Sequence, residues 1–322
     1  MKGSLNMEKI LKTIYKKIKQ YNKIIIYGHK RPDGDCYGAQ FGLKNIIQNA
    51  FPEKEVYVTG EISEFVSFVG RPDIVVPTDE KDDSFYQDAL SIVVDTATQD
   101  RVSNQKYTLG LEVIKIDHHI PVDQYGDYQW VDTNFPSCAQ MIAYFSRQFK
   151  KFKVTKPGAV AMYTGILTDT GRFKYRGVTE LTHQIAGFLL TRGADVEEID
   201  QHLSIETLDM IRFKGYIYQN LKTTDKGFVY FIINEALRNE FNLSYEEASS
   251  TVNLLGGIQG FPVWALIIED KNDIRVRLRS NGPDIDGVAN KFQGGGHKKA
   301  AGATLKNWDE LNDLIEEVHK LI

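Results

Sequence analysis

Acidic and imidazole side chains follow several short apolar runs in the first half of the chain. Carboxylate oxygens and imidazole nitrogens are common protein ligands of divalent metal ions. If the apolar runs are neighbouring strands, their ends bring these side chains together. The candidates are His29 with Asp33 and Asp35, then Asp95, then Asp117 with His118 and His119, and finally Asp169. The sequence therefore predicts a metal site at one edge of a sheet.

Each of these motifs has another explanation when it is taken alone. Asp33 or Asp35 could cap the helix that begins after the turn at Gly34. Asp95 could be a cap or an ion-pair partner that follows a buried strand. Asp169 could belong to the turn that ends a helix close to Gly171. The metal hypothesis depends on whether the motifs converge.

The Asp117-His118-His119 motif predicts a division of roles. Adjacent side chains diverge, so we expect only one of the two histidines to bind metal. The other histidine would face the substrate or donate a proton to a leaving oxygen. Asp117 would orient an imidazole through the ring nitrogen that does not bind metal.

Strand and helix patterns alternate in the first half of the chain, and these elements determine where the candidate residues lie. Apolar runs predict strands at 23–28, 56–58, 74–76, 90–94 and 112–116, and helical spacing predicts helices at 7–21, 38–49, 137–149, 157–167 and 179–190. This alternation is typical of a parallel α/β sheet, in which functional residues gather beyond the carboxyl ends of the strands. We expect the candidate ligands at that edge.

The second half of the chain has a different pattern. Strands are predicted at 228–233, 263–269 and 274–279, and helices at 284–292 and 308–322. The fold class is therefore α/β, with a parallel-sheet domain followed by a smaller α/β domain that has a mixed sheet, and with the active site in the cleft between them. We expect domains at 1–190 and 217–322, joined by a helical connector at 191–216.

Two features of the second half suit an anion. Consecutive glycines at 294–296 allow backbone N–H groups to approach an anion closely, and His297, Lys298 and Lys299 add positive charge. Arg275, Arg277 and Arg279 alternate along one strand, with Ser280 after them, and arginine suits recognition of phosphate. A flexible surface loop and an exposed strand face are the alternative explanations.

Length, net charge and cysteine content restrict the class of protein. The length of 322 residues fits two domains, and the net charge of −4 means that any nucleic acid must be held by a local patch or by metal ions. Cys36 and Cys138 are too few for a disulfide framework. The first 20 residues lack the apolar core of a signal peptide, and the longest apolar region, 254–268, is interrupted by glycines and a proline. We expect a cytoplasmic protein without membrane association.

Together, the motifs resemble those of the DHH phosphoesterase family in order and context. The DHH part comprises His29-x3-Asp33-x-Asp35, Val94-Asp95-Thr96, Asp117-His118-His119 and Thr168-Asp169-Thr170-Gly171, and the DHH-associated part comprises Arg279-Ser280 and Gly294-Gly295-Gly296-His297. The resemblance covers nearly the whole chain. One departure is Gln293, because many members have a fourth glycine at this place before the histidine.

The resemblance implies two divalent metal ions, typically Mn²⁺, that activate a water and neutralise phosphate charge. His29 and Asp33 match the ligands of one ion, whereas Asp35, His118 and Asp169 match those of the other. Asp95 matches the bridging carboxylate, and His119, supported by Asp117, matches the histidine beside the substrate phosphate. Arg279, Ser280, Gly295, Gly296 and His297 match the part that holds the nucleotide.

Within the family, a chain of this length with these two domains resembles the oligoribonuclease type, or nanoRNase. Such enzymes convert short RNAs or linear dinucleotides such as pApA to mononucleotides, and many remove the 3′-phosphate from 3′-phosphoadenosine 5′-phosphate. A family II type inorganic pyrophosphatase or exopolyphosphatase is one alternative, and a non-catalytic nucleotide-binding regulator is another. The sequence leaves the oligomeric state open and allows a homodimer.

Overall fold

A computed structural model describes residues 2–270 and 273–322 of the protein. The chain forms two compact units, Met1–Ile205 and Glu206–Ile322. The strands of the first unit are β1 (Lys23–Tyr27), β2 (Glu55–Gly60), β3 (Ile74–Val75), β4 (Leu90–Val94), β5 (Glu112–Asp117) and β6 (Tyr128–Val131). Its helices are α1 (Lys2–Gln20), α2 (Gly34–Ala50), α3 (Asp83–Tyr86), α4 (Cys138–Gln148), α5 (Lys156–Asp169), α6 (Glu180–Leu190) and α7 (Val196–Ser204).

The six strands of the first unit form one parallel sheet in the order β3-β2-β1-β4-β5-β6. This confirms the predicted parallel α/β architecture. The direction in which successive strands are added reverses between β1 and β4, and such a switch point leaves an open crevice at the carboxyl ends of the strands. Three of the candidate motifs follow β1, β4 and β5, so they lie at this edge.

Small residues bring three helices close together beside the sheet. A Cβ atom added at Gly38 in α2 would lie 2.7 Å from the carbonyl oxygen of Ala161 in α5. A Cβ atom added at Gly165 would lie 2.5 Å from Cβ of Ala139 in α4. Because no side chain separates these backbones, the start of α2, the start of α4 and the end of α5 meet at one place.

The second unit contains its own mixed sheet, as predicted. Its strands are β7 (Lys222–Thr223), β8 (Phe228–Ile233), β9 (Val263–Asp270), β10 (Asp273–Ser280), β11 (Gly295–His297) and β12 (Ala300–Leu305). Its helices are α8 (Leu208–Gln219), α9 (Glu235–Glu240), α10 (Tyr245–Ser250), α11 (Asp286–Lys291) and α12 (Glu310–His319). The strand order is β11-β12-β10-β9-β8-β7, in which only β8 and β9 pair in parallel among the described strands.

Several elements differ from the sequence expectation. The strand β6 and the short helices α9 and α10 were not predicted, since each is too short for a clear periodic pattern. The glycine segment, expected as a loop, includes the strand β11, in which Gly295 pairs with Gly302. None of the helices in the described part of the chain has the length and apolar character needed to cross a bilayer.

Candidate active site

Asp33 occupies the N-cap of α2, which is one of the alternatives that the sequence left open. Its Oδ1 accepts hydrogen bonds of 3.0 Å from the backbone N–H groups of Asp35 and Cys36. The same carboxylate oxygen lies 3.7 Å from Nε2 of His29. Capping and proximity to the imidazole therefore occur together, and the cap holds the carboxylate beside the histidine.

Asp35 is buried and faces the N-terminus of α4. Its Oδ2 accepts a hydrogen bond of 2.6 Å from the backbone N–H of Cys138, and its Oδ1 accepts one of 2.9 Å from that of Ala139. The partial positive charge of a helix N-terminus favours an anion there. Burial, followed by the negative charges of Asp95 and Asp169, raises the pKa of Asp35 well above its ordinary value.

His29 and Asp95 follow β1 and β4 and meet at the strand ends. Nδ1 of His29 lies 3.0 Å from the carbonyl oxygen of Lys30, to which it can donate, and its Nε2 lies 3.5 Å from Oδ2 of Asp95. Burial alone would lower the pKa of His29, but the carboxylates of Asp33 and Asp95 outweigh it and raise that pKa to about 11. Asp95 has a φ of +54°, an uncommon backbone conformation that is found disproportionately at functional sites.

His118 lies among three carboxylates. Its Nε2 is 3.2 Å from Oδ2 of Asp169, 3.4 Å from Oδ1 of Asp95 and 3.7 Å from Oδ2 of Asp35. Burial opposes protonation of His118, yet these carboxylates raise its pKa to about 10. Burial, together with the charge of Asp95, raises the pKa of Asp169 to about 7. The surroundings are therefore strongly negative and favour a bound positive charge.

His119 does not diverge from His118 as expected, because their ring centroids lie 4.4 Å apart, and it is supported by Asp117. Nδ1 of His119 lies 2.8 Å from Oδ1 of Asp117, and 42% of the His119 side chain is exposed, whereas that of Asp117 is fully buried. The other oxygen of Asp117 lies 3.5 Å from Nζ of Lys115, which is also buried and donates to the carbonyl oxygen of Ala97. This buried pair holds one ring nitrogen of His119 and leaves its Nε2 for another partner.

The cluster has the features expected of a metal site. Oδ1 of Asp95 and Nε2 of His118 are buried, 3.4 Å apart, and have no hydrogen-bond partner among the described residues. A buried polar atom without a partner is costly, and a cation between the two would satisfy both. Three overlapping groups could each hold an ion: His29 with Cys36 and Asp95, Asp95 with His118 and His119, and Asp35 with His118 and Asp169.

The second unit contains a pocket of about 540 Å³ on the face of its sheet that carries Arg275, Arg277 and Arg279. Nε of Arg277 is buried without a hydrogen-bond partner in the described part of the chain. Nη2 of Arg275 lies 2.9 Å from Oδ2 of Asp273, which is not among the lining residues. The lining includes three arginines and no carboxylate. The pocket is therefore suited to an anionic ligand.

The predicted substrate residues of this unit are only partly in the pocket. Arg279, Gly295, Gly296 and His297 line it. Ser280 lies outside the lining, and its Oγ donates to the carbonyl oxygen of Pro283 and accepts from the backbone N–H of Gly282. Its side chain stabilises the turn after β10.

Three residues in or beside these sites were not singled out from the sequence. Cys36 lies within the metal cluster, Lys115 supports Asp117, and Tyr245 lines the pocket of the second unit. A lysine in an otherwise apolar strand was a signal for Lys115, because a buried lysine requires a partner. Tyr245 comes from a distant short helix, so no local pattern could have placed it there.

Family models match both units. The model described as the DHH family, N-terminal domain, matches residues 23–166, and that of the DHHA1 domain matches residues 225–322. The chain belongs to the DHH phosphoesterase family, whose members are metal-dependent hydrolases. The acidic and histidine clusters of the first unit agree with that dependence.

Curated relatives match over nearly their whole length. The chain is 37% identical over 306 residues to the bifunctional oligoribonuclease and PAP phosphatase NrnA of Bacillus subtilis, covering 94% of this chain and 96% of the relative. It is 38% identical to the probable bifunctional oligoribonuclease and PAP phosphatase NrnA of Streptococcus mutans, covering 97% and 98%.

Solved structures share the fold. An exopolyphosphatase-related protein from Bacteroides fragilis superposes with a TM-score of 0.88 at 23% identity, over 97% of this chain and 96% of that one. A putative family II inorganic pyrophosphatase from Methanococcus jannaschii reaches a TM-score of 0.50 at 16% identity, over 92% and 99%. These similarities support the two-unit α/β architecture.

Proposed function

We propose that the protein hydrolyses short oligoribonucleotides and linear dinucleotides such as pApA to mononucleotides, and that it also converts 3′-phosphoadenosine 5′-phosphate to AMP. The observation that carries the proposal is the convergence of His29, Asp95 and His118 with the neighbouring carboxylates in the first unit. The names of relatives more than 30% identical over nearly the full chain support the substrate class.

The cluster is proposed to hold two divalent ions. His29 and Asp33 would bind one ion, Asp35, His118 and Asp169 would bind the other, and Asp95 would bind both. Two such ions supply an acidified water and neutralise phosphate charge. Mn²⁺ is the proposed metal, because mixed carboxylate and imidazole ligands suit it.

The remaining residues of the first unit are proposed to act on the phosphate. His119 keeps Nδ1 on Asp117, so its Nε2 can donate a hydrogen bond to a phosphate oxygen or a proton to the leaving oxygen. Lys115 is a positioning residue, because its charge balances that of Asp117 in the protein interior. The exposure of His119 leaves its ring accessible to a substrate.

The arginine pocket of the second unit is proposed to hold the nucleotide end of the substrate. Arg279 and the glycine segment would contact phosphate through a guanidinium and backbone N–H groups. Arg277 adds a buried Nε donor that has no partner in the described structure. Tyr245 offers an aromatic surface on which a base could stack.

The proposed location is the cytoplasm. Cys36 and Cys138 are both free and buried, which fits a reducing compartment.

Hydrolysis of pApA, 3′-phosphoadenosine 5′-phosphate and pyrophosphate in the presence of Mn²⁺ tests the proposal. We expect AMP from the first two substrates and little phosphate from the third. Turnover of pyrophosphate alone would replace the proposal with a pyrophosphatase activity. Absence of turnover with every substrate, in a protein that binds Mn²⁺, would replace it with a nucleotide-binding role.

A further inference from the structure

The thiol of Cys36 belongs to the metal cluster in geometry, although neither the sequence motifs nor the proposed reaction gives it a role. Ligand atoms of His29, Cys36 and Asp95 all lie within 4.8 Å of one another. Cys36 follows Asp35 in the first turn of α2, and its Sγ packs under the end of β1, since a Cβ atom added at Gly28 would lie 2.3 Å from it. The sulfur thus lies beside the imidazole of His29.

The neighbours of this sulfur leave it able to bind a metal. Its hydrogen bond to Oε1 of Gln40 is long, at 3.7 Å. Oδ2 of Asp95, on a side chain that is 2% exposed, is the oxygen that faces Nε2 of His29. Ligand atoms around tetrahedral Zn²⁺ lie about 3.5 Å apart, given bond lengths of about 2.0–2.3 Å. His29 and Asp95 already have a separation of 3.5 Å, and the sulfur lies within 4.8 Å of both, so movement of the thiol toward them would supply three of the four ligands.

The chemistry of sulfur decides which ions would use it. Mn²⁺ and Mg²⁺ prefer oxygen and imidazole ligands, whereas thiolate selects softer ions such as Zn²⁺ and Cd²⁺. The softness of sulfur therefore gives Cys36 little part in binding a hard ion at this position.

We propose that His29, Cys36 and Asp95 form a binding site for a thiophilic divalent cation, with Zn²⁺ or Cd²⁺ competing there against Mn²⁺. Binding forms a metal–sulfur bond, and the thiol proton passes to solvent, because the thiolate is the ligand. The site shares His29 and Asp95 with one proposed Mn²⁺ position, so the two kinds of ion exclude each other. Cys36 would thereby determine which metals inhibit the protein.

Absorption spectroscopy of the full-length protein tests this proposal without any substrate. Protein that has been dialysed against Cd²⁺ in place of Mn²⁺ should show the ultraviolet charge-transfer band of a cadmium–thiolate bond. Cys138 is the other cysteine of the chain and is also buried, and its Sγ donates to the carbonyl oxygen of Ile116. The Cys138→Ala variant is therefore the matched control and should keep the band.

The variants Cys36→Ser and Cys36→Ala should lose the band. They should also bind Cd²⁺ more weakly. Removal of a residue that only orients a metal ligand lowers metal affinity about 10–100-fold, and loss of the ligand itself should lower it at least as much. Their affinity for Mn²⁺ should change little. Circular dichroism of the serine variant, which keeps nearly the same shape, checks folding.

Two results would overturn the proposal. One is a wild-type protein that binds Cd²⁺ without the thiolate band, and the other is a band that persists in a folded Cys36 variant. Neither result bears on hydrolysis of dinucleotides, so the proposed function and the thiophilic site can fail separately. Addition of Cd²⁺ to the manganese form should release Mn²⁺ as the band appears, which the paramagnetic resonance signal of free Mn²⁺ measures, and a band that appears without release of Mn²⁺ would disprove the shared site.

Discussion

Asp95 is the residue on which both proposed metal positions depend. Its two oxygens face different histidines, with Oδ2 at 3.5 Å from Nε2 of His29 and Oδ1 at 3.4 Å from Nε2 of His118. Its φ of +54° is uncommon for a residue other than glycine. Asparagine tolerates this conformation nearly as well as aspartate does, so the charge can be removed without disturbing the backbone.

Asp95→Asn should therefore abolish metal-dependent hydrolysis in a folded protein. The amide keeps the shape of the side chain but cannot bridge two cations as a carboxylate does. Loss of a residue that only orients a ligand lowers metal affinity about 10–100-fold, so loss of the bridging carboxylate should lower Mn²⁺ affinity by more than that. Calorimetric titration with Mn²⁺ and the rate with pApA measure the two effects. A variant that retains wild-type affinity would remove Asp95 from the proposed bridging position.

For single residues, the sequence predicted which residue types belong to the site, but it did not predict which other residues they contact. The order and spacing of the motifs pointed to His29, Asp95 and His118. The role of Asp35 at the start of α4 depends on a contact with a residue more than 100 positions away, which no local pattern encodes. Ser280 shows the converse, since its position in a motif did not reveal that its hydroxyl stabilises a turn.

At the scale of elements, Glu112 joins α1 to the parallel sheet. Its carboxylate lies 2.6 Å from Nζ of Lys17 and accepts hydrogen bonds from the hydroxyl groups of Tyr21 and Tyr128. Burial would raise the pKa of Glu112, but these three donors outweigh burial and lower it. The ionised carboxylate is therefore the form that stabilises the packing of α1 against the strands.

Glu112→Gln should destabilise the protein near neutral pH by about 1 kcal/mol, after allowance for solvent screening. Because the pKa is lower in the folded state, the stabilisation is fully present above the pKa of the unfolded chain. It is lost as the pH falls through the folded-state pKa. Urea unfolding of wild type and variant across this range measures the difference, and exposed Glu53 provides a control in Glu53→Gln. A difference that persists at the acidic end would contradict this account.

The hairpin of β11 and β12 requires glycine at position 294 more strictly than at position 295. A Cβ atom at Gly294 would lie 1.9 Å from the carbonyl oxygen of Gly302, whereas one at Gly295 would meet only Oδ1 of Asn290 at 3.4 Å. The resemblance to the family could not distinguish these two glycines. Gln293, which stands where many members have glycine, adopts a φ of +51° and thus keeps a conformation that glycine adopts more easily.

Gly294→Ala should lower the stability of the second unit by about 1–3 kcal/mol, since the added methyl group must displace backbone. Gly295→Ala should be nearly neutral and serves as the control, because it makes the same chemical change in the adjacent residue. Thermal unfolding monitored by circular dichroism compares the two. Equal losses of stability would show that the hairpin rearranges to accommodate either methyl group.

Long or fully buried elements were predictable from the sequence, whereas short or half-buried ones were not. The strands β1 and β4 are almost continuous apolar runs because both faces are covered, and they were predicted within a residue or two. The edge strand β6 is only half-buried and four residues long, so its pattern does not differ from that of a loop. The helix α10 has six residues, too few to display a helical period.

At the scale of the whole molecule, each unit has its own core and its own candidate site. Clusters of buried apolar side chains lie entirely within the first unit or entirely within the second. The acidic cluster belongs to the first, and the arginine pocket belongs to the second. We therefore expect metal and nucleotide to be recognised by different parts of the chain.

Hydrogen exchange measured by mass spectrometry should separate the two ligands. At about 100 times its dissociation constant, a ligand slows exchange through local opening by up to about 100-fold. Mn²⁺ should slow exchange at the starts of α2 and α4, where backbone N–H groups donate to Asp33 and Asp35. AMP should slow exchange in β10 and β12. Protection of the second unit by Mn²⁺ alone would contradict this division.

The hydrogen bonds between Asp35 and the start of α4 have a consequence for synthesis of the protein. Residues proposed to hold the ions extend from His29 to Asp169, and Asp35 is held by backbone N–H groups of Cys138 and Ala139. A growing chain that has passed His29 and Asp33 still lacks the helix that orients Asp35 and the carboxylate of Asp169. The ions therefore cannot guide the early steps of folding on the ribosome. Truncated products that end before α5 would be unable to retain the full set of ions, so only longer chains could become active.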